Sequence, residues 1–166
     1  MKAEFINPLL EVTVKTMKTM AHLQLRPGKP QVKGHRNTML DVSGVITIQA
    51  VGLRGCLVVG FSNSLILRAV ANMFGEKMRD VVDDEVVDAA GELTNIICGN
   101  YKARCNEVVC NGNTYRFDLV TPQIVRGKGV PVVTGCDAEP VLCIPFTEDA
   151  GVLIVEAALV ESKTGD

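Results

Sequence analysis

The sequence predicts a mixed α/β fold, an antiparallel-rich sheet covered on one side by helices. Three observations predict it. The apolar period is helical at the start of the chain, changes to two at Asp41, and returns to helical spacing after Phe61 before further strands follow. The order helix, two strands, two helices, strands is one that packs helices against one sheet. The chain has 166 residues, 47% of them hydrophobic, which suits one domain, residues 1–166, able to bury roughly 70% of its unfolded surface without metal or disulfide staples.

Taken in order, Phe5, Ile6, Leu9, Leu10, Val12, Thr13, Met17 and Met20 recur at helical spacing, and Asn7-Pro8 is read as the opening of that helix. The run Arg26-Pro27-Gly28-Lys29-Pro30 reads as a loop that ends it. From Asp41, Val42, Ile46, Ile48 and Ala50 alternate with Val45, Thr47 and Gln49. A turn over Gly52-Leu53-Arg54-Gly55 then leads into Cys56 to Phe61 as the second strand of a hairpin. Leu65, Ile66, Ala69, Val70, Met73 and Phe74 make the next helix, capped by Ser62 or Ser64 and closed by Gly75.

A longer helix opens at Asp83-Asp84, where acidic residues suit the positive end of the helix dipole, and runs to about Asn106. Asn111-Gly112-Asn113 reads as a turn, and Tyr115 to Leu119 as a strand that ends at Pro122. Strands at Val141 to Phe146 and Val152 to Val160 flank a turn over Thr147 to Gly151, and the tail from Ser162 to Asp166 is expected to fray.

Composition excludes several functions. With 17 basic and 19 acidic side chains, the net charge of −2 lacks the basic footprint of a nucleic-acid binder. No apolar run approaches the roughly 18 residues of a membrane span, since Glu156 interrupts the most apolar stretch. Glu4 and Glu11 fall where a secretory signal would need uninterrupted apolar residues, so the expected location is cytoplasmic. The cysteines at 56, 98, 105, 110, 136 and 143 form no Cys-x-x-Cys pair and share no zinc spacing with His22 or His35, so reduced, mostly buried thiols and no metal site are expected. No nucleophile-elbow motif accompanies the two histidines, which argues against a serine or cysteine hydrolase.

The long helix is the informative element. At 100° per residue, Val86, Ala90, Leu93, Ile96, Ile97 and Tyr101 share one arc, and Glu85, Asp88, Glu92, Asn95, Gly99, Lys102 and Asn106 share the other. A solvated stripe is ordinary on a surface helix, and Asp88 alone needs no other account. Asn95 and Gly99 do, because a mid-helix asparagine is a weak helix former and a glycine there costs about 1 kcal/mol relative to alanine. Two propensity penalties on one exposed face point to a contact surface. A carboxamide both donates and accepts, so Asn95 can hold a water in one orientation without changing protonation state, while Glu92 can pair with a partner's lysine. That pairing resembles the way in-line hydrolysis of a phosphoryl group uses a water-positioning amide. The sequence carries no phosphate-cradling glycine loop, so a phosphoryl group and its magnesium would have to arrive on a partner.

Asp88-Ala89-Ala90-Gly91-Glu92-Leu93-Thr94-Asn95 resembles the Asp/Ser-x3-Glu-x2-Asn pattern of the CheC/CheX/FliY chemotaxis phosphatases. Phe5-Ile6-Asn7-Pro8, Val58 to Ser62, Met73-Phe74-Gly75 and Phe117 to Pro122 fall in the order expected for the CheX branch, and only one Glu-x-x-Asn motif is present where CheC-like proteins carry two. The resemblance implies hydrolysis of the aspartyl-phosphate on a CheY-type response regulator. Asn95 would orient the attacking water and Glu92 would dock on the regulator's lysine, while the exposed stripe itself makes Asp88, Gly99 and Lys102 the expected partner contacts. It further implies no cofactor of its own, Mg²⁺ on the regulator, and a homodimer joined through sheet edges. The stretch from Asn95 to Pro122 is longer than the family spacing, with the extra length placed at Glu107 to Thr114, so no role is assigned to Pro122. The competing reading is a non-catalytic scaffold that docks a regulator or a flagellar switch component through the same helix.

Overall fold

The computed structural model describes residues 3–33, 40–106, 109–110, 113–114, 116–129 and 141–161. Helix α1 spans Ala3–Met20 and is followed by short strands β1 (Arg26–Pro27) and β2 (Gln31–Lys33). Next come β3 (Val42–Ala50), β4 (Leu53–Phe61), α2 (Asn63–Phe74) and α3 (Asp84–Cys105). Short strands β5 (Val109–Cys110), β6 (Asn113–Thr114), β7 (Asp118–Leu119) and β8 (Gln123–Arg126) follow, then β9 (Val141–Glu148) and β10 (Gly151–Glu161). The main sheet runs β1-β9-β10-β4-β3-β7, with β2 also on β9 and β8 also on β3, and every pairing is antiparallel. Strands β5 and β6 pair only with each other.

The predicted fold class holds: α1, α2 and α3 pack against the sheet, and their apolar faces share one core with it. Leu57, Val59 and Phe61 of β4, Leu153 and Val155 of β10, and Ile144 and Phe146 of β9 point into that core at alternate positions, as a pleated strand requires. The opposite parity is buried too. Cys56, Val58, Cys143, Glu156 and Ala158 all lie below 5% exposure, so Glu156 is a buried strand residue on the face away from the helices.

Several boundaries differ from the sequence reading, each for a physical reason. Helix α1 begins by Ala3 and carries Pro8 inside it, because burial of Phe5 continues the apolar face through the first turn, at the cost of the bond an N–H at position 8 would make to the Glu4 carbonyl. The Arg26 to Pro30 loop contains β1 and leads into β2. These are edge strands, where a proline is tolerated, and the Gly28 N–H donates to the Pro145 carbonyl at 2.7 Å. The β3–β4 turn is Val51-Gly52 alone, with Gly52 at φ 76°, so Leu53 to Gly55 already belong to the strand. The β9–β10 turn contracts likewise to Asp149-Ala150. The turn predicted at Asn111-Gly112-Asn113 falls largely outside the described residues, although its flanks pair as a hairpin. The predicted fraying of residues 162–166 also lies outside them.

The helix ends fall where the sequence places them, but the serine at the start of α2 does not cap through its side chain. Ser62 is the N-cap of α2, but its hydroxyl accepts from the Val152 N–H of β10, while the Asp41 carboxylate accepts from the Asn63 N–H. Gly75 closes α2 in the left-handed region at φ 66°.

Candidate functional site

Helix α3 carries the predicted site, and its start is held from several sides. Asp83 is the N-cap, its carboxylate accepting from the Val86 N–H at 3.0 Å. That bond, with the Arg79 guanidinium beside it, holds the Asp83 carboxyl below the usual aspartate value. Arg79 lies 2.6 Å from Glu85, 2.8 Å from Asp83 and 3.3 Å from Glu76, and these carboxylates raise its pKa further. From β8, Arg126 donates to the Asp84 carboxylate and to the Val82 carbonyl. At the other end, the Asn106 side-chain oxygen accepts from the Phe117 N–H at 3.0 Å, bringing the chain back beside the helix. Phe117 is buried edge-on against Phe5, with ring centroids 6.2 Å apart.

Depth is set by two glycine contacts. A Cβ on Gly44 of β3 would overlap Thr94, whose Cγ2 would be 2.6 Å away, so the fully buried Thr94 lies directly over the strand backbone. Its hydroxyl donates to the Ala90 carbonyl within the helix at 2.8 Å. A Cβ on Gly91 would stand 3.3 Å from the Ile124 side chain of β8. The helix therefore sits close to the β3–β8 edge of the sheet, with Glu92 and Asn95 beside those contacts and facing out.

The strand that ends at Pro122 in the sequence reading resumes beyond it. Leu119 pairs with Ile48 and Gln123 with Val45, so three residues, Val120, Thr121 and Pro122, stand opposite two, Ile46 and Thr47. This is a β-bulge, with the Val120 N–H on the Thr47 carbonyl at 3.2 Å and a proline where no ladder donor is required. It lies against α3. Leu119, Val120, Thr121 and Pro122 form one wall of an open groove of about 340 Å³ whose other wall is Gly91, Glu92 and Asn95. Pro122, left without a role by its spacing, is thus a wall of this groove. Its signal in the sequence was the proline itself, read as a strand end when it marked a bulge.

Asp88, Glu92 and Asn95 are exposed on one face and make no side-chain hydrogen bond or ion pair with another described residue. Gly99 is half-buried, with open space where a Cβ would point. Lys102 is differently placed: its ammonium lies 3.5 Å from the Asp118 carboxylate, tying the stripe to β7. Among the described residues no group of His, Cys, Asp and Glu could hold a metal, and no helix is long and apolar enough to cross a membrane. Cys56, Cys98, Cys105 and Cys143 are buried thiols, and desolvation pushes Cys98 up to about 12 and Cys105 to about 11.

Residues 42–147 match the family model for the chemotaxis phosphatase CheX, a span that contains α3 and both walls of the groove. The chain belongs to the CheX family. The CheY-P phosphatase CheX of Thermotoga maritima is 24% identical over 132 residues, covering 80% of this chain and 81% of that protein. The crystal structure of the chemotaxis protein CheX from Vibrio vulnificus is 34% identical with a TM-score of 0.82, covering 95% of this chain and 100% of that one. The fold is shared also with the CheX of the CheX-CheY-BeF3-Mg²⁺ complex from Borrelia burgdorferi, at 20% identity, a TM-score of 0.70, and 95% and 98% of the two chains. As a CheX-family member the chain is a protein phosphatase by family.

Proposed function

We propose that residues 1–166, acting as one domain, hydrolyse the aspartyl-phosphate of a CheY-type response regulator, with Asn95 and Glu92 as the working side chains. The observation that carries this reading is the Glu92–Asn95 pair, one helical turn apart, exposed, without a polar partner among the described residues, and beside the bulge wall. The name of the Thermotoga relative and the partner named in the Borrelia complex agree with it.

Mechanistically, the amide of Asn95 accepts from and donates to a water, holding its oxygen in line with the phosphorus. Attack forms the new P–O bond as the bond to the aspartyl oxygen breaks, releasing inorganic phosphate and a carboxylate. A carboxylate leaves readily, so no general acid is required of this chain, and an amide supplies none. Glu92 pairs with a lysine of the regulator and fixes the approach. Asp88 and the open space over Gly99 extend the contact, and Lys102 shapes its far end through Asp118. Mg²⁺ and the phosphoryl group arrive on the regulator, and this chain brings no cofactor. A homodimer through a sheet edge, either β1–β2 or β7–β8, belongs to the same reading; a monomeric mass at micromolar concentration would remove it.

The test is phosphate release from phosphorylated regulator in the presence of Mg²⁺. Asn95→Ala is expected to lower kcat on the order of 10²-fold while keeping most of the binding, as loss of one preorganised hydrogen-bonding group does. Release at the unchanged rate would sink the mechanism. Binding without turnover in the unsubstituted protein would leave only the scaffold reading.

A further inference from the structure

Beside the Asn95 groove lies a second and larger one, of about 560 Å³, between the end of α2 and the first half of α3. Met73, Phe74 and Ala89 are its apolar part, and Glu76, Arg79, Glu85, Asp88 and Glu92 surround them. Glu92 lines both grooves, so the two form one continuous surface. Phe74 is the last residue of α2 and is 59% exposed, an aromatic ring held at a helix end instead of entering the core that Leu65, Ile66, Ala69 and Val70 of the same helix build. An exposed aromatic in a concave, polar-rimmed setting is the composition of a binding anchor.

The charge around it indicates what the groove accepts. Four carboxylates surround it against one guanidinium, and Arg79 is already engaged by Glu76, Asp83 and Glu85. Asp88 and Glu92 therefore present negative charge that no described residue neutralises. A second copy of this chain meeting the same patch about a two-fold axis would set acidic rim against acidic rim, and an anionic lipid surface would be repelled.

We propose that the Phe74 groove is the affinity half of the docking surface, taking from the phosphorylated response regulator an apolar side chain flanked by lysine or arginine, while the Asn95 groove performs the chemistry. This rests on the regulator being the substrate. The division of labour follows from geometry: Phe74 and Met73 lie on a different helix from Asn95 and reach it only through the shared Glu92. Binding energy gathered there is available in ground state and transition state alike, so it acts on KM and not on kcat.

The experiment titrates the protein with its regulator loaded with BeF3⁻ and Mg²⁺, and measures KM and kcat for phosphate release on the same variants. Phe74→Ala is expected to raise Kd and KM at least tenfold with kcat within about twofold, the reverse of Asn95→Ala. Phe74→Leu should restore most of the affinity, and a thermal midpoint equal to that of the unsubstituted protein shows that the fold is intact. Asp88→Lys should also weaken binding and flatten its salt dependence. Unchanged Kd and KM in Phe74→Ala overturn the proposal, as does a change of oligomeric mass in that variant, which would make the groove an interface between copies. Binding that depends on Phe74 without turnover would overturn the phosphatase reading and leave the docking surface standing. An unsubstituted protein that neither binds nor hydrolyses the regulator overturns both.

Discussion

The two faces of α3 share the same 22 residues and face opposite demands. On the inner face, Thr94 lies over Gly44 and Gly91 rests on Ile124, with no room for an added methyl at Gly44 and little at Gly91. On the outer face, Asp88, Glu92 and Asn95 touch no other described side chain through a polar contact. Position is thus decided on one side of the helix and chemistry on the other. The outer residues can be exchanged at little cost in stability, whereas an inner exchange moves everything that the helix presents.

The sharpest way to break this comparison is Asn95→Ala, where the expected loss of about 10²-fold in kcat corresponds to about 2.7 kcal/mol of transition-state stabilisation. Its unfolding free energy should stay within about 0.5 kcal/mol, and a large drop would show that the outer face is structural after all. Gly44→Ala probes the inner face. The new methyl must displace Thr94, so chemical denaturation should show a loss of about 1–3 kcal/mol, with kcat falling as the helix lifts from the β3–β8 edge. Full activity in a destabilised Gly44→Ala would separate depth from catalysis.

Smaller effects sharpen the picture at the helix start and in the core. Asp83→Ala should lower the thermal midpoint, since the cap to the Val86 N–H is lost. Because the folded carboxyl is held below the usual aspartate value, its contribution is present above the unfolded value and is lost as pH falls through the folded one. The difference between the two proteins should therefore shrink in acid. Cys98 and Cys105 have the opposite sign. Their folded values of about 12 and about 11 exceed the ordinary 9.0, so stability declines as pH rises above about 9, where only the unfolded chain releases those protons. Alkylation at neutral pH should accordingly reach them only when the chain opens.

What the sequence by itself determined is what repeats or caps locally. The two-residue alternation of β3, the helix ends at Gly75 and Asp83, and the stripe of Asp88, Glu92 and Asn95 all follow from neighbours within about one helical turn or one hairpin. Their physics is short-range, so it is legible in order along the chain. Tertiary structure alone decided the rest. Pro27 and Pro122 read as breaks because a proline lacks an N–H, and only the neighbouring strands β9 and β3 show that no donor is required there. The same holds for the second wall of the groove and for Phe74, whose helical spacing predicts a core residue. Its exposure depends on where α2 stops relative to α3. Which residues lie one turn apart is a property of the helix, but what faces them across a groove depends on contacts between residues far apart in the chain, and no local pattern encodes those.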